Sequence, residues 1–223
     1  MGIVHSALRR DLERTRVALG AAPYPEGAQR RAIGSHLLAM MHFLHVHHTG
    51  EDAGLWPVLL GRDPGTAALV ERMERDHEQI DPTITALELA AAGYRDATVD
   101  REGLLTALDG LTGTLLPHLE REETEAMPVV SATLSQAEWH AYEQEHAVGV
   151  KTFLELGDEG HWVLDGLDDE HRRVMLGVVP AVPRFVLVHG FARRYRRKKQ
   201  LLWGDGPASR IPSLGLAAMR ERS

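Results

Sequence analysis

Apolar residues recur along most of the chain at the three- and four-residue spacing that is typical of amphipathic α-helices. Alternating runs of β-branched residues, which would predict strands, are missing, and Ala, Leu, Glu and Arg dominate. Breaks rich in Pro and Gly predict four long helices, at about 3–20, 28–56, 66–92 and 99–126. Four long helices with short connections predict an all-α fold, an antiparallel four-helix bundle.

Local signals predict where several helices begin and end. We expect Thr66 to cap the start of the third helix, Gly93 to cap its end, and the pair Met127-Pro128 to end the fourth. Further along, Ser135 followed by Glu138 is a capping-box signal. These positions open a second helical region after the bundle.

The second region holds an acidic helix start at residues 168–170, and Pro180 and Pro183 are expected to end that helix before a basic segment. After position 204 the sequence mixes Gly, Pro, Ser and Arg. The predicted divisions are residues 1–130, the bundle; residues 135–204, a C-terminal helical extension; and residues 205–223, a flexible tail.

Composition excludes several classes of site. The chain has no cysteine, so a disulfide framework, a thiolate zinc site, an iron–sulfur cluster and a cysteine nucleophile are ruled out. Its first residues lack an apolar leader and no apolar run could span a membrane, so we expect a cytoplasmic protein. The net charge is −7, although residues 184–199 hold seven basic side chains and no acid. An acidic body gives no strong nucleic-acid signal.

A duplicated motif is the most informative feature, in a chain with 13 histidines. Residues 47–57 and 118–128 both follow the pattern His-x3-Glu-acid-x4-Pro, 71 residues apart. A lone histidine precedes each copy at a similar distance: His5 lies 42 residues before the first, and His77 lies 41 before the second. The chain therefore consists of two similar helix pairs, each with one histidine followed by a His-x3-Glu pair.

This spacing predicts a metal site, because residues four apart lie one above the other on a helix face. Four imidazole nitrogens and two carboxylates suit two first-row transition ions bridged by carboxylates, and iron is the usual occupant of such bundle cores. Calcium or magnesium would require oxygen ligands throughout, and one zinc ion would use only four of the six groups. The candidate ligands are His5, His47, Glu51, His77, His118 and Glu122.

Each element taken singly has a simpler interpretation. A lone histidine is usually an ordinary helical residue, and one His-x3-Glu pair is usually a surface ion pair. The repetition favours the metal hypothesis, and it also selects a register. His48 and Asp52 have the same spacing, but their counterparts in the second copy are Leu119 and Glu123, so we expect them at the edge of the site or supporting a ligand.

Together, His5, the segment HVHHTGEDAGLWP (45–57), His77 in MERDHEQID and the segment PHLEREETEAMP (117–128) resemble the hemerythrin-like family, the HHE cation-binding domains. The resemblance covers about residues 1–130, and region 135–204 more weakly resembles extensions of some bacterial members. It implies a four-helix bundle with two non-haem iron ions, joined by an oxo or hydroxo bridge and by the carboxylates of Glu51 and Glu122. The implied ligand is a small diatomic molecule or peroxide.

Two departures from oxygen-carrying members bear on function. Carriers place a second histidine one turn before that of the third helix, where this chain has Met73, and their last carboxylate is an Asp one residue later. Reversible oxygen carriage is therefore not implied. The favoured hypothesis is sensing, scavenging or iron handling with O2, peroxide or NO. The alternatives are a catalase-like di-iron enzyme and an interaction module that docks through segment 184–199. Monomer and dimer are both compatible with the sequence.

Overall fold

The computed structural model describes residues 1–179, 181–213 and 215, and every regular element in this part of the chain is helical. This confirms the all-α prediction. The α-helices are α1 (Gly2–Gly20), α2 (Gly27–Gly50), α3 (Trp56–Arg62), α4 (Ala67–Arg95), α5 (Arg101–Arg121), α6 (Met127–Thr133), α7 (Gln136–Tyr142), α8 (Phe153–Leu164), α9 (Asp169–Gly177), α10 (Ala181–Gly190) and α11 (Ala192–Trp203). No helix in the described residues is both long and apolar enough to cross a membrane.

The bundle consists of α1, α2, α4 and α5, and short segments join them. Helix α2 packs along α4, α4 along α5, and α5 along α1. Leucine side chains at helical spacing fill the interior between these helices, among them Leu8, Leu37, Leu87 and Leu111, all fully buried. The bundle is therefore held by apolar burial over most of its length.

Two π-helical turns interrupt the long helices at the duplicated motif. Glu51–Leu55 joins α2 to α3, and Glu122–Ala126 joins α5 to α6. Each turn is followed by a proline, Pro57 or Pro128, as the second residue of the next α-helix. A proline has no N–H and crowds the carbonyl four residues earlier, so the widened turn accommodates it.

The helix ends differ from several of the predicted ones. The fourth helix continues beyond Pro128 to Thr133, because a proline in the first turn of α6 loses no hydrogen bond. Helix α4 runs through Gly93 to Arg95. Gly93 is needed for close packing instead: a Cβ there would lie 2.4 Å from Val99 Cγ2. Thr66 occupies the N-cap position of α4, as predicted, but its side chain does not cap the helix, since its hydroxyl donates to the Asp63 carbonyl at 2.7 Å.

The extension begins as predicted and then folds back onto the bundle. Ser135 and Glu138 form the reciprocal capping box of α7, and the Asp168 side chain caps α9. Helix α9 ends at Gly177, before Pro183, as expected. Pro183 itself lies in the first turn of α10, and Pro180 lies outside the described residues. Helix α8 packs on α1, and α11 packs on α2.

Residues 205–213, at the start of the segment expected to be a flexible tail, also pack on the bundle. A 3-10 turn, Pro207–Arg210, contacts α1, and Ala208 is buried. The Ile211 carbonyl accepts a hydrogen bond from Arg14 Nη2 at 2.7 Å. The extension and the beginning of the tail thus cover one side of α1.

A buried ionic network joins α1 to the extension. Asp11 Oδ2 accepts hydrogen bonds from Trp162 Nε1 at 2.9 Å and from His36 Nε2 at 2.7 Å. Arg14 Nη1 lies 2.5 Å from Asp165 Oδ2. Burial opposes ionisation of Asp11, but Arg10 and His36 outweigh it and hold the pKa of that carboxyl well below its usual range. The charges of this network therefore satisfy one another.

Candidate metal centre

The six predicted ligands meet inside the bundle. Each of the four bundle helices contributes one histidine, and each π-helical turn contributes its first residue, a glutamate. Five of the six are buried, and 9% of the His47 side chain is exposed. Their helices are α1 for His5, α2 for His47, α4 for His77 and α5 for His118, with Glu51 and Glu122 opening the two turns.

The histidines form two groups. One ligand atom from each of His5, His47 and Glu122 lies within 4.8 Å of the others, and the same holds for His48, His77 and His118. The first group takes both histidines from the α1–α2 pair and its carboxylate from the α4–α5 side. Two such groups in one interior give two positions at which a cation could be held.

Glu51 lies between the groups. Its Oε1 is 3.3 Å from His47 Nε2, and its Oε2 is 3.6 Å from His77 Nε2. One carboxylate therefore offers one oxygen to each group, which is the placement that a bridging carboxylate requires.

Glu122 also contacts both groups. Its Oε2 lies 3.3 Å from His5 Nε2 and 3.9 Å from His118 Nε2. Unlike Glu51, it approaches both histidines through the same oxygen. The two glutamates of the duplicated motif thus occupy equivalent central positions with different orientations.

The second acid of each motif copy orients a histidine of the opposite helix pair. Nδ1 of His77 donates to Asp52 Oδ1 at 2.8 Å, and Nδ1 of His5 donates to Glu123 Oε1 at 2.8 Å. A carboxylate that accepts the Nδ1 proton leaves Nε2 as the nitrogen with a free lone pair, which is available to a metal. Asp52 therefore orients the ring of a candidate ligand, His77.

Polar atoms without partners test whether the residues fit a cation. Within the described part of the chain, both oxygens of Glu51 and of Glu122 are buried without a hydrogen-bond partner, as is Nε2 of His77 and of His118. The nearby histidines are not placed to form hydrogen bonds with these carboxylates. Buried groups of this kind cost free energy unless something binds them. Imidazole nitrogens and carboxylate oxygens are the donors that first-row transition ions accept, so the residues fit a metal.

The protonation states favour cation binding. Burial lowers the pKa of His5 and of His47 well below the ordinary value, and that of His118 to about 3. These imidazoles are therefore neutral and keep a lone pair at neutral pH. Burial raises the pKa of Glu122 to about 7, and burial together with the Glu122 carboxylate raises that of Glu51. A cation would restore the charged carboxylates.

Three residues in or next to the group of candidate ligands make contacts that the sequence analysis did not predict. His48 was expected at the edge of the site or in support of a ligand, but it is buried within the second group of histidines. Asp76 Oδ2 lies 3.4 Å from His118 Nδ1. Arg9 Nη1 donates to Glu123 Oε1 at 2.8 Å. The one sequence signal for Asp76 is its position directly before a candidate ligand histidine.

Comparison with known proteins identifies one family. The family model described as Hemerythrin HHE cation binding domain matches residues 4–130, which are more than half of the chain and include all six predicted ligands. No curated protein and no solved structure matches the chain significantly.

Proposed function

The chain belongs to the hemerythrin HHE cation-binding domain family, and on that premise we propose that it holds two non-haem iron ions and binds or reacts with O2, peroxide or NO. The proposed ligands are the six residues His5, His47, Glu51, His77, His118 and Glu122. Iron, when bound, supplies the redox chemistry. The role would be sensing, scavenging or iron handling in the cytoplasm.

The position of Glu51 is the observation that supports two ions over one. Its two oxygens face histidines of different groups, His47 at 3.3 Å and His77 at 3.6 Å. A single ion would use one of these groups and leave the other imidazoles buried without partners, at a cost in free energy. Two ions satisfy both groups.

The surrounding residues hold the ligands in place and exclude water. Asp52 and Glu123 fix the rings of His77 and His5 through their Nδ1 protons. Leu44, Met73 and Leu115, three or four residues before ligand histidines, are completely buried. An apolar, water-poor lining of this kind favours small, weakly polar ligands.

The direct test is the metal content of aerobically purified protein, measured with its near-ultraviolet spectrum. We expect about two irons per chain, by analogy with other di-iron bundles. Glu51→Gln, which keeps the side-chain volume but removes a bridging charge, should lose iron. Glu78→Gln changes an exposed glutamate next to His77 and should keep it. No iron in the wild type, and no uptake on anaerobic reconstitution, would refute the proposal.

Peroxide decomposition is a second candidate. Met73 is completely buried and offers a thioether at the position where the carriers' additional histidine would lie, so the ligand set is not that of a carrier. The test is peroxide consumption by the iron-loaded protein. A rate well above that of free iron, and lost in Glu122→Ala, would establish an enzyme. A rate equal to that of free iron would leave binding or sensing.

The third hypothesis, docking through segment 184–199, receives less support. Arg194 donates to Asp158 at 2.8 Å and Lys199 to Asp165 at 2.6 Å, so part of the basic surface neutralises the extension's own acids. Arg193, Arg196 and Arg197 are exposed. Salt-dependent retention of the whole protein on heparin, lost when these three are changed to Ala, would support docking.

A further inference from the structure

His48 lies among the metal-facing histidines although it is outside the duplicated register. Only 3% of the residue is exposed. Its ring stacks on that of His77, with centroids 4.1 Å apart and planes at 10°, and meets the His118 ring edge-on at 5.3 Å. One nitrogen from each of these three histidines lies within 4.8 Å of the others, a spacing that one cation could bridge.

Both ring nitrogens of His48 are buried without a hydrogen-bond partner in the described part of the chain. A neutral imidazole carries one donor and one acceptor, so it loses two interactions with water when it is buried in this way. Other buried histidines are at least partly satisfied: His36 bonds to Asp11 at 2.7 Å, and His161 to the Leu187 carbonyl at 2.6 Å. His48 lacks such a partner, and its ring faces two candidate ligands.

The repeat is asymmetric at this position. The counterpart of His48 in the second motif copy is Leu119, a completely buried apolar residue of the core. One half of the interior therefore carries an additional nitrogen donor that the other half does not. Without His48, each group offers two histidines; with it, the groups offer three and two.

We propose that His48 is a ligand of the ion at His77 and His118, so that the two ions have three and two protein histidines. The inference rests on the proposed function, because it assumes that both positions bind metal. It also makes the two positions chemically different. The ion at His5 and His47 has fewer protein ligands, and it is therefore the one with more room for water or a small exogenous molecule.

The test compares His48→Leu with the wild type, both stripped of metal and then titrated anaerobically with Fe(II), and with Co(II) as a spectroscopic probe. Leu reproduces the residue of the other half. We expect one ion to bind as in the wild type and the other on the order of 100-fold more weakly or worse, since even loss of a ligand's supporting partner costs 10–100-fold. The Co(II) absorption of one site should change and that of the other should not.

Two controls separate ligation from a structural role. His45→Ala changes an exposed histidine of the same helix and should leave both affinities unchanged. The metal-free His48→Leu protein should melt at the same temperature as the wild type or higher, because the change removes an unpartnered polar group from the core. His48→Glu, which offers a carboxylate ligand, should recover part of the lost affinity.

The outcomes are distinguishable. If the wild type binds two ions and His48→Leu binds both with unchanged affinity and spectrum, the inference is wrong and the proposed function stands. Equal weakening of both ions with a lower melting temperature would also overturn it. If the wild type binds one ion, the two-ion proposal fails, and only weakening of that ion in His48→Leu would support ligation by His48. A wild type that binds none overturns both.

Discussion

Helix α1 carries two buried polar clusters that differ in how their atoms are satisfied. Around Asp11 and Arg14, carboxylates, guanidinium groups, an imidazole and an indole N–H bond to one another. Around His5, the cluster ends in carboxylate oxygens and imidazole nitrogens that have no protein partner in the described residues. Buried polar atoms that satisfy one another fix a structure, whereas a concentration of unpartnered donors indicates a ligand. The comparison separates stability from function on a single helix.

The largest loss of stability is expected when the hydrogen-bonded cluster around Asp11 is broken. Asp11→Ala removes the hydrogen-bond acceptor of Trp162 and His36, and it leaves the buried Arg10 without its ion-pair partner on α1. Breaking a buried ion pair in this way costs about 3–5 kcal/mol. Urea denaturation of the metal-free protein measures it. Glu13→Ala, on the same helix but half-buried with a long contact to Arg16, should cost far less. Equal losses would show that the network is not what holds the extension.

Removing metal should produce the next largest loss of stability, and this loss arises in the cluster around His5. A ligand that binds only the folded state stabilises it by about 4 kcal/mol when its concentration is a thousand times its dissociation constant. Chelation should therefore lower the melting temperature of the wild type by several degrees. Glu51→Gln, which is expected to hold no iron, should not respond. A wild type whose melting is the same with and without chelator would contradict a metal-filled cluster.

The metal-free protein should also lose stability as the pH falls from about 6.5 to 4.5. The pKa values of six histidines are lowered in the folded state, so the unfolded chain binds their protons first and acid favours unfolding. They are His5, His36, His47, His48, His118 and His161. Four glutamates with raised pKa values act in the opposite direction, and they are outnumbered by the histidines: Glu51, Glu122, Glu123 and Glu159. Because the unfolded chain binds more protons than the folded protein, the free energy of unfolding should fall by about 1 kcal/mol or more per pH unit.

Thermal melting of the chelated protein across this pH range measures the effect. The iron-loaded protein should be less sensitive at the upper end of the range, because bound metal competes with protons for the same nitrogens. A metal-free protein that gains stability on acidification would show that the glutamates with raised pKa values outweigh the histidines.

The smallest effect is expected at an exposed ion pair far from either cluster. Arg72 and Glu125 join α4 to the second π-helical turn at 2.8 Å, with nearly half of each side chain exposed. Arg72→Ala should cost less than about 1 kcal/mol, because solvent and salt screen such pairs. Urea denaturation at low and high salt checks it. A larger loss would mean that the pair fixes the turn that carries Glu122.

The two clusters were not equally predictable from sequence. The candidate ligands could be found because a helix places residues four apart on one face, and because the His-x3-Glu pattern occurs twice with its lone histidines. The network around Asp11 could not. The run RRDLERTR in α1 is an ordinary charged helical sequence, and its partners Trp162 and Asp165 lie about 150 residues away. Only the tertiary fold determines that this face is buried.

Smaller differences have local causes. His48 was placed outside the ligand set because its counterpart is Leu119, and a repeat argument cannot detect a residue present in one half only. Glycine is typical of a helix end, but Gly93 lies within α4, where Val99 packs against it. The capping box of Ser135 and Glu138 was predictable, by contrast, because the two residues lie three positions apart.

The crossed supports of the candidate ligands have a consequence for how the centre is assembled. His5 of the first helix pair is held by Glu123 of the second, and His77 of the second pair is held by Asp52 of the first. Neither pair alone presents a complete, oriented set of donors. The centre therefore acquires its full set of oriented donors only when the two helix pairs have packed together.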